Sequence, residues 1–134
     1  IATRYAELQF QGRQLGSLLL DQGFLAGLGN YLRSEILFCA RVYPLRRLGE
    51  VSASARHTLG QQTLILTRQS YNTQGVTNDL DSYRALRRTG RTFGQSRHWV
   101  FDRESGSCYE CGEAIEKISV NSRRLYYCPH CQTQ

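Results

Sequence analysis

Lysine is almost missing from this chain. Lys117 is the only one among seventeen basic residues, and the other sixteen are arginines. No run of eighteen apolar residues occurs, so no segment can span a bilayer as a helix and no membrane partner is expected. A basic-then-apolar leader pattern is also lacking, which points to a reducing, cytoplasmic setting. There is no internal repeat and no low-complexity tract. The first residue is Ile1 and not methionine, which suggests a fragment or a processed piece. At 134 residues the chain has room for one ordinary domain, or a small one plus a metal-held module.

What is present begins with charge. The formal net charge is +6. The planar arginine fork suits bidentate phosphate contacts, so this composition favours a nucleic-acid partner over the alternative of a merely solvated basic surface.

Four cysteines near the C-terminal end carry the strongest signal. Cys108 and Cys111 form one CxxC pair, and after sixteen residues Cys128 and Cys131 form another. Two such pairs make tight knuckles that aim four sulfurs at one tetrahedral zinc ion, with a hairpin between them. Ile115, Ile118, Val120, Leu125, Tyr126 and Tyr127 supply the strand content, and Asn121-Ser122 the turn. Four thiolates close the coordination shell, so the zinc is structural. It supplies the ~10–16 kcal/mol that so small a module cannot obtain from its own core. With four thiolates and one Zn²⁺ counted, the net charge falls to about +4. The competing reading, two disulfides in a secreted module, leaves Cys39 unmatched. His130 is read as a non-ligand and Cys39 as a small buried apolar residue.

The rest reads as mainly α. Residues 1–11 form a short helix (Ile1, Tyr5, Leu8) ending at Gly12, and the run from Arg13 to Asp21 forms a helix of two or three turns. Residues 22–30 make a buried, tightly wound connection. A second helix starts at Asn30, read as its N-cap, and ends by Pro44. Ser52 caps a third that runs to about Arg68. The segment 70–98 reads as a long, mobile loop with a helical turn around 79–87 and five arginines. Trp99-Val100-Phe101 reads as strand. The expected division is a helical DNA-binding domain at 1–98 and a zinc-ribbon finger at 99–134. Asp21, Glu35 and Asp102 are scattered carboxylates without an evident partner.

A helix N-terminus offers oriented N–H groups and partial positive charge, here at Gly29 and Asn30, while Arg123-Arg124 sit at the hairpin tip. Side by side, the two could clamp one DNA phosphate.

The stretch Leu18–Leu37, with LAGLGNYLR at its centre, resembles the helix–two-turn–helix motif of the formamidopyrimidine-DNA glycosylase/endonuclease VIII family. Ser70-Tyr71 lean towards the endonuclease VIII branch. Val100-Phe101-Asp102-Arg103 and the four-cysteine ribbon, with Arg123 five residues before Cys128, resemble the family's zinc finger. The resemblance covers about 9–132. It implies base-excision repair: removal of oxidised bases, mostly pyrimidines, then β,δ-elimination at the abasic site. Asn30 would bind phosphate. Arg123 would grip phosphate and donate the proton of the second elimination. Residues 70–97 would approach the extruded base.

The family's nucleophile, an N-terminal proline amine, and its catalytic glutamate belong to an upstream domain that Ile1-Ala2 do not match. The chain is therefore expected to be the C-terminal half of such an enzyme, monomeric, dependent on that catalytic domain as partner, and inactive alone. Gly106-Ser107 replace the usual Glu-Pro before Cys108, and Arg124 leaves two candidates for the phosphate grip. A zinc-ribbon adaptor that binds protein is the alternative, and a stand-alone RNA-binding ribbon a weaker one.

Overall fold

The computed structural model describes residues 2–21, 23–25 and 29–134. Gln22 and 26–28, part of the connection read as tightly wound, lie outside them, as does Ile1. Phe24 is buried against Tyr5 and Phe10, with both ring pairs edge to face.

Among the described residues six α-helices and one hairpin follow in order: α1 (Ala2–Ala6), α2 (Leu15–Leu18), α3 (Asn30–Cys39), α4 (Ala53–Thr73), α5 (Leu80–Arg88), α6 (Phe93–Ser96), β1 (Glu116–Val120) and β2 (Arg123–Tyr127). Single 3₁₀ turns occupy Leu8–Phe10 and Leu48–Glu50. Among the described residues no helix is long and apolar enough to cross a membrane. The fold is mainly helical with a two-stranded antiparallel hairpin, as the residue pattern implied.

Three expectations need correction. The helix expected from Arg13 to Asp21 is one turn, because Gly16 must pass tightly under the backbone of Pro44. A Cβ there would meet the Pro44 carbonyl and Leu125 at 3.1 Å, and the Gly16 N–H donates to that carbonyl at 2.7 Å. The Asp21 carboxylate then accepts from the Gly23 amide at 2.7 Å and turns the chain. Residues 70–98 are not a long loop: α4 continues to Thr73 and α5 and α6 follow. Trp99–Phe101 is not a strand, since no partner strand lies beside it and its amides go to a side chain described below.

Local chemistry explains the elements that agree. Ser52 Oγ accepts from the Ala55 amide at 3.0 Å and opens α4, whose buried stripe is Ala55, Leu59, Thr63, Leu66 and Ser70. Helix α3 ends where Arg41 turns left-handed, three residues before Pro44. Asn121 and Ser122, both at positive φ, make the two-residue turn that matches the twist of hairpin strands. A core of Tyr5, Leu15, Leu18, Leu19, Ile36 and Leu59 also takes in Leu125 and Tyr127 from β2. A smaller core joins Phe38 to Val100, Cys108, Ile115 and Tyr126.

Candidate nucleic-acid interface

Helix α3 is the hub, with seven consecutive buried residues from Leu32 to Phe38, three of them polar or charged. It packs against α2, α4 and β2. Its cap is Gly29, in extended conformation, and not Asn30. Glycine supplies no capping side chain, so the first-turn N–H groups lack a side-chain acceptor. The Asn30 side chain is thereby released to face the hairpin. Its Nδ2 donates to the Arg124 carbonyl at 3.1 Å.

Arg33 fixes this meeting, and sequence reading passed over it. Its side chain is fully buried, yet no carboxylate faces it. It donates instead to Asn30 Oδ1 (3.2 Å) and to the carbonyls of Gly16 (2.5 Å), Val120 (3.1 Å) and Arg123 (3.3 Å). Burial, and then the Arg123 guanidinium, lower its pKa to about 10, which leaves it charged at neutral pH. A buried cation held only by neutral oxygens keeps its field. That field adds to the positive end of α3 directly above it. The signal available in sequence was spacing: Arg33 lies one turn after Asn30, on the same face.

The two tip arginines differ. Arg124 pairs with Asp102 at 3.0 Å, and Asp102 also accepts from the Tyr126 hydroxyl at 3.0 Å. The Arg123 side chain is exposed, and no hydrogen bond or ion pair from it is found among the described residues. Asp102 therefore has a partner after all. So does Asp21, whose pKa is held down by the Gly23 amide and then by Arg13 at 3.0 Å.

Glu35 is fully buried and organises the segment before the ribbon. Its carboxylate accepts from the amides of Trp99 (2.6 Å), Val100 (2.9 Å) and Phe101 (3.2 Å), and from the Thr77 hydroxyl (2.5 Å). Burial pushes its carboxyl up, against the pull of those donors. The Thr77 hydroxyl has one proton to place between the Glu35 carboxyl at 2.5 Å and His98 Nδ1 at 2.7 Å, so the His98 tautomer follows the protonation of Glu35. Burial, then Arg97, push His98 down to about 3.

The ribbon's four Sγ atoms lie within 4.8 Å of one another, with Cys108–Cys131 at 3.9 Å and Cys111–Cys128 at 3.4 Å. Sulfurs bound tetrahedrally at ~2.3 Å from a zinc ion stand ~3.8 Å apart, so the cluster fits that ion. None of the four is in a disulfide. One structural zinc belongs here, and the set leaves no coordination position for a substrate.

Comparison with known proteins agrees with this geometry. The formamidopyrimidine-DNA glycosylase H2TH domain matches residues 1–80, and a zinc finger found in FPG and IleRS matches 108–134. Endonuclease 8 of Pectobacterium atrosepticum is 42% identical over 125 residues, covering 93% of this chain and 44% of the relative. Among solved structures, MutM (Fpg) from Thermus thermophilus is 30% identical with a TM-score of 0.77, covering 96% of this chain and 48% of that one. Lactococcus lactis Fpg in complex with abasic-site DNA shares the fold, with a TM-score of 0.79, 22% identity, and coverage of 98% and 47%. The chain thus spans about half the length of the curated relatives it matches.

Proposed function

The chain belongs to the formamidopyrimidine-DNA glycosylase H2TH domain family, and on that footing we propose that it is the backbone-binding part of an endonuclease VIII-type DNA glycosylase and AP lyase. Its partner is duplex DNA carrying an oxidised base, mostly a pyrimidine, or an abasic site. The helical part to residue 98 and the ribbon from 99 hold one phosphate between them.

The observation that carries this reading is the buried Arg33 guanidinium with neutral acceptors only, beneath the start of α3. With Arg123 beside it, the surface lacks a negative charge, and a phosphate supplies one. The first-turn amides after Gly29 and the Asn30 amide are the fixed donors. Arg123 is the mobile one, because Arg124 is already engaged by Asp102. In the intact enzyme Arg123 also gives the proton of the second elimination, while an upstream domain provides the proline nucleophile and the glutamate. Without that domain no amine is activated for attack on the sugar, and this chain alone does not cleave. The adaptor alternative required the hairpin tip and the helix start to stand apart, whereas Asn30 is bonded to the Arg124 carbonyl.

The test is binding to duplexes with and without an abasic-site analogue across a salt series. A clamp on about one to three phosphates gives a log–log slope of roughly −1 to −3. Arg123→Ala should weaken binding about equally for every sequence. A change confined to sequence preference, or salt-independent binding, would overturn the assignment.

A further inference from the structure

Helices α5 and α6 form an arm unlike the rest of the molecule. Both its feet are pinned: the amides of Thr77 and Asn78 donate to the Arg97 carbonyl at 2.9 and 3.0 Å, and Asn78 Nδ2 donates to the Ser96 carbonyl at 3.1 Å. Between those feet α5 buries no residue, so packing places little demand on its sequence. Yet residues 79–97 carry five arginines against two aspartates. Arg84, Arg87 and Arg88 lie within about one turn of α5, and Arg91 follows its C-cap, where its carbonyl accepts from the Arg87 guanidinium at 2.7 Å. The single ion pair from this group, Arg84–Asp81 at 3.3 Å, is solvent-exposed and therefore weak.

The stripe continues into the ribbon. Arg91 and Gln95 line a hollow of about 410 Å³ whose other wall is Arg103, Ser107, Cys108 and Tyr109; no carboxylate lines it, and its one anionic group is the zinc-ligand sulfur of Cys108. Arg103 lies 3.7 Å from the Tyr109 ring centre and donates to the carbonyls of Trp99 and Ser107, with no carboxylate paired to it among the described residues. The stripe is also tied to the α3 site. The Arg97 guanidinium sits between the rings of Tyr31 (5.3 Å) and Phe93 (4.9 Å), and Phe93 packs edge-on against Tyr83 of α5.

We propose that this arm is a second backbone grip, in which Arg87, Arg88 and Arg91, with the hollow at Arg103, bind phosphates of the same duplex that α3 and the hairpin tip hold. The proposal rests on the DNA-binding reading above. Three guanidiniums beyond the α3 site engage about three further phosphates. Helix-dipole compensation explains a cation or two in the last turn of α5, but neither Arg91 beyond it nor the pairing of Arg91 with Arg103 across the hollow. Single-stranded nucleic acid is disfavoured, because binding it needs free aromatic faces. On the arm and at the hollow Tyr83 and Phe93 meet edge to face and Tyr109 is covered by Arg103, which leaves the exposed Tyr71 as the aromatic nearest the stripe.

The experiment is fluorescence anisotropy with a 25-base-pair duplex over a salt series, using the full chain, R87Q/R88Q/R91Q, R87K/R88K/R91K and N30A. Circular dichroism and zinc content confirm that each variant is folded. The glutamine variant should bind about tenfold or more weakly near 0.1 M salt, with a slope shallower by roughly 2–3. The lysine variant should keep most of the slope. Wild-type affinity and slope in the glutamine variant overturn the proposal, as does a loss seen only with oligo(U) or a polyglutamate peptide. If N30A weakens binding and the glutamine variant does not, the α3 site stands and the arm fails. If only the glutamine variant weakens it, the arm stands and the α3 assignment fails. A wild-type chain that ignores the duplex overturns both.

Discussion

The junction between α3 and the ribbon and the α5–α6 arm are both rich in charge, and they use it in opposite ways. At the junction Arg33 and Glu35 are fully buried, and most of their hydrogen bonds go to backbone groups of other segments. On the arm Arg84, Arg87, Arg88 and Arg91 are exposed and bond to little beyond their own neighbours. Charge that has lost its water must be satisfied locally and so determines architecture, whereas charge left in water remains free for a partner. Substitutions in the two places should therefore be read out by different measurements.

The largest effect should come from the metal. Cys128→Ser, or chelation of zinc, should unfold the hairpin and release its strands from α3 while α4 keeps its helical signal. Retention of the hairpin's amide dispersion in NMR would refute this. Arg33→Met comes next. It strips donors from three carbonyls and Asn30, and should lower unfolding free energy by ~2–3 kcal/mol in urea melts. Glu35→Gln brings donors to face donors at Thr77 and 99–101 and should cost ~1–3 kcal/mol.

His98 gives a smaller, pH-dependent difference. Its folded pKa lies below the unfolded value, so the unfolded chain takes up the proton first. Stability is complete above about pH 6.5 and falls as pH drops towards 3. Glu35, shifted up, acts with the opposite sign, so the useful quantity is wild type minus His98→Asn. That difference should be about 1 kcal/mol less favourable to wild type at pH 5.5 than at 7.5. Smallest of all, R87Q/R88Q/R91Q should move stability by no more than about 0.5 kcal/mol. A larger loss would mean that the arm is architectural after all, and the contrast would dissolve.

Sequence made the local elements legible. The CxxC spacing gave the metal cluster, Ser52 the start of α4, and Asn121-Ser122 the hairpin turn, because each is decided by residues close in the chain. What sequence hid was long-range capture. Trp99-Val100-Phe101 has strand composition, and only the carboxylate of Glu35, more than sixty residues earlier, diverts its amides. Arg33 looked like one more surface arginine because nothing nearby announces that three carbonyl oxygens from distant segments converge on it. Residues 70–98 looked loop-like because large apolar residues are few there, and α5 half-buries only Leu80, Tyr83 and Leu86 on its apolar side.

Arg33 and Glu35 are two positions apart on α3, so they leave the helix in different directions. One seizes the hairpin where it reverses, and the other seizes the stretch just before the first knuckle. A finger pinned at nail and root by the same half-turn of an axle does not swing on a joint of its own. A strand pressing on the nail therefore turns or tilts α3 as a whole, and the push is passed to whatever that helix touches before residues 98–101 can flex to absorb it.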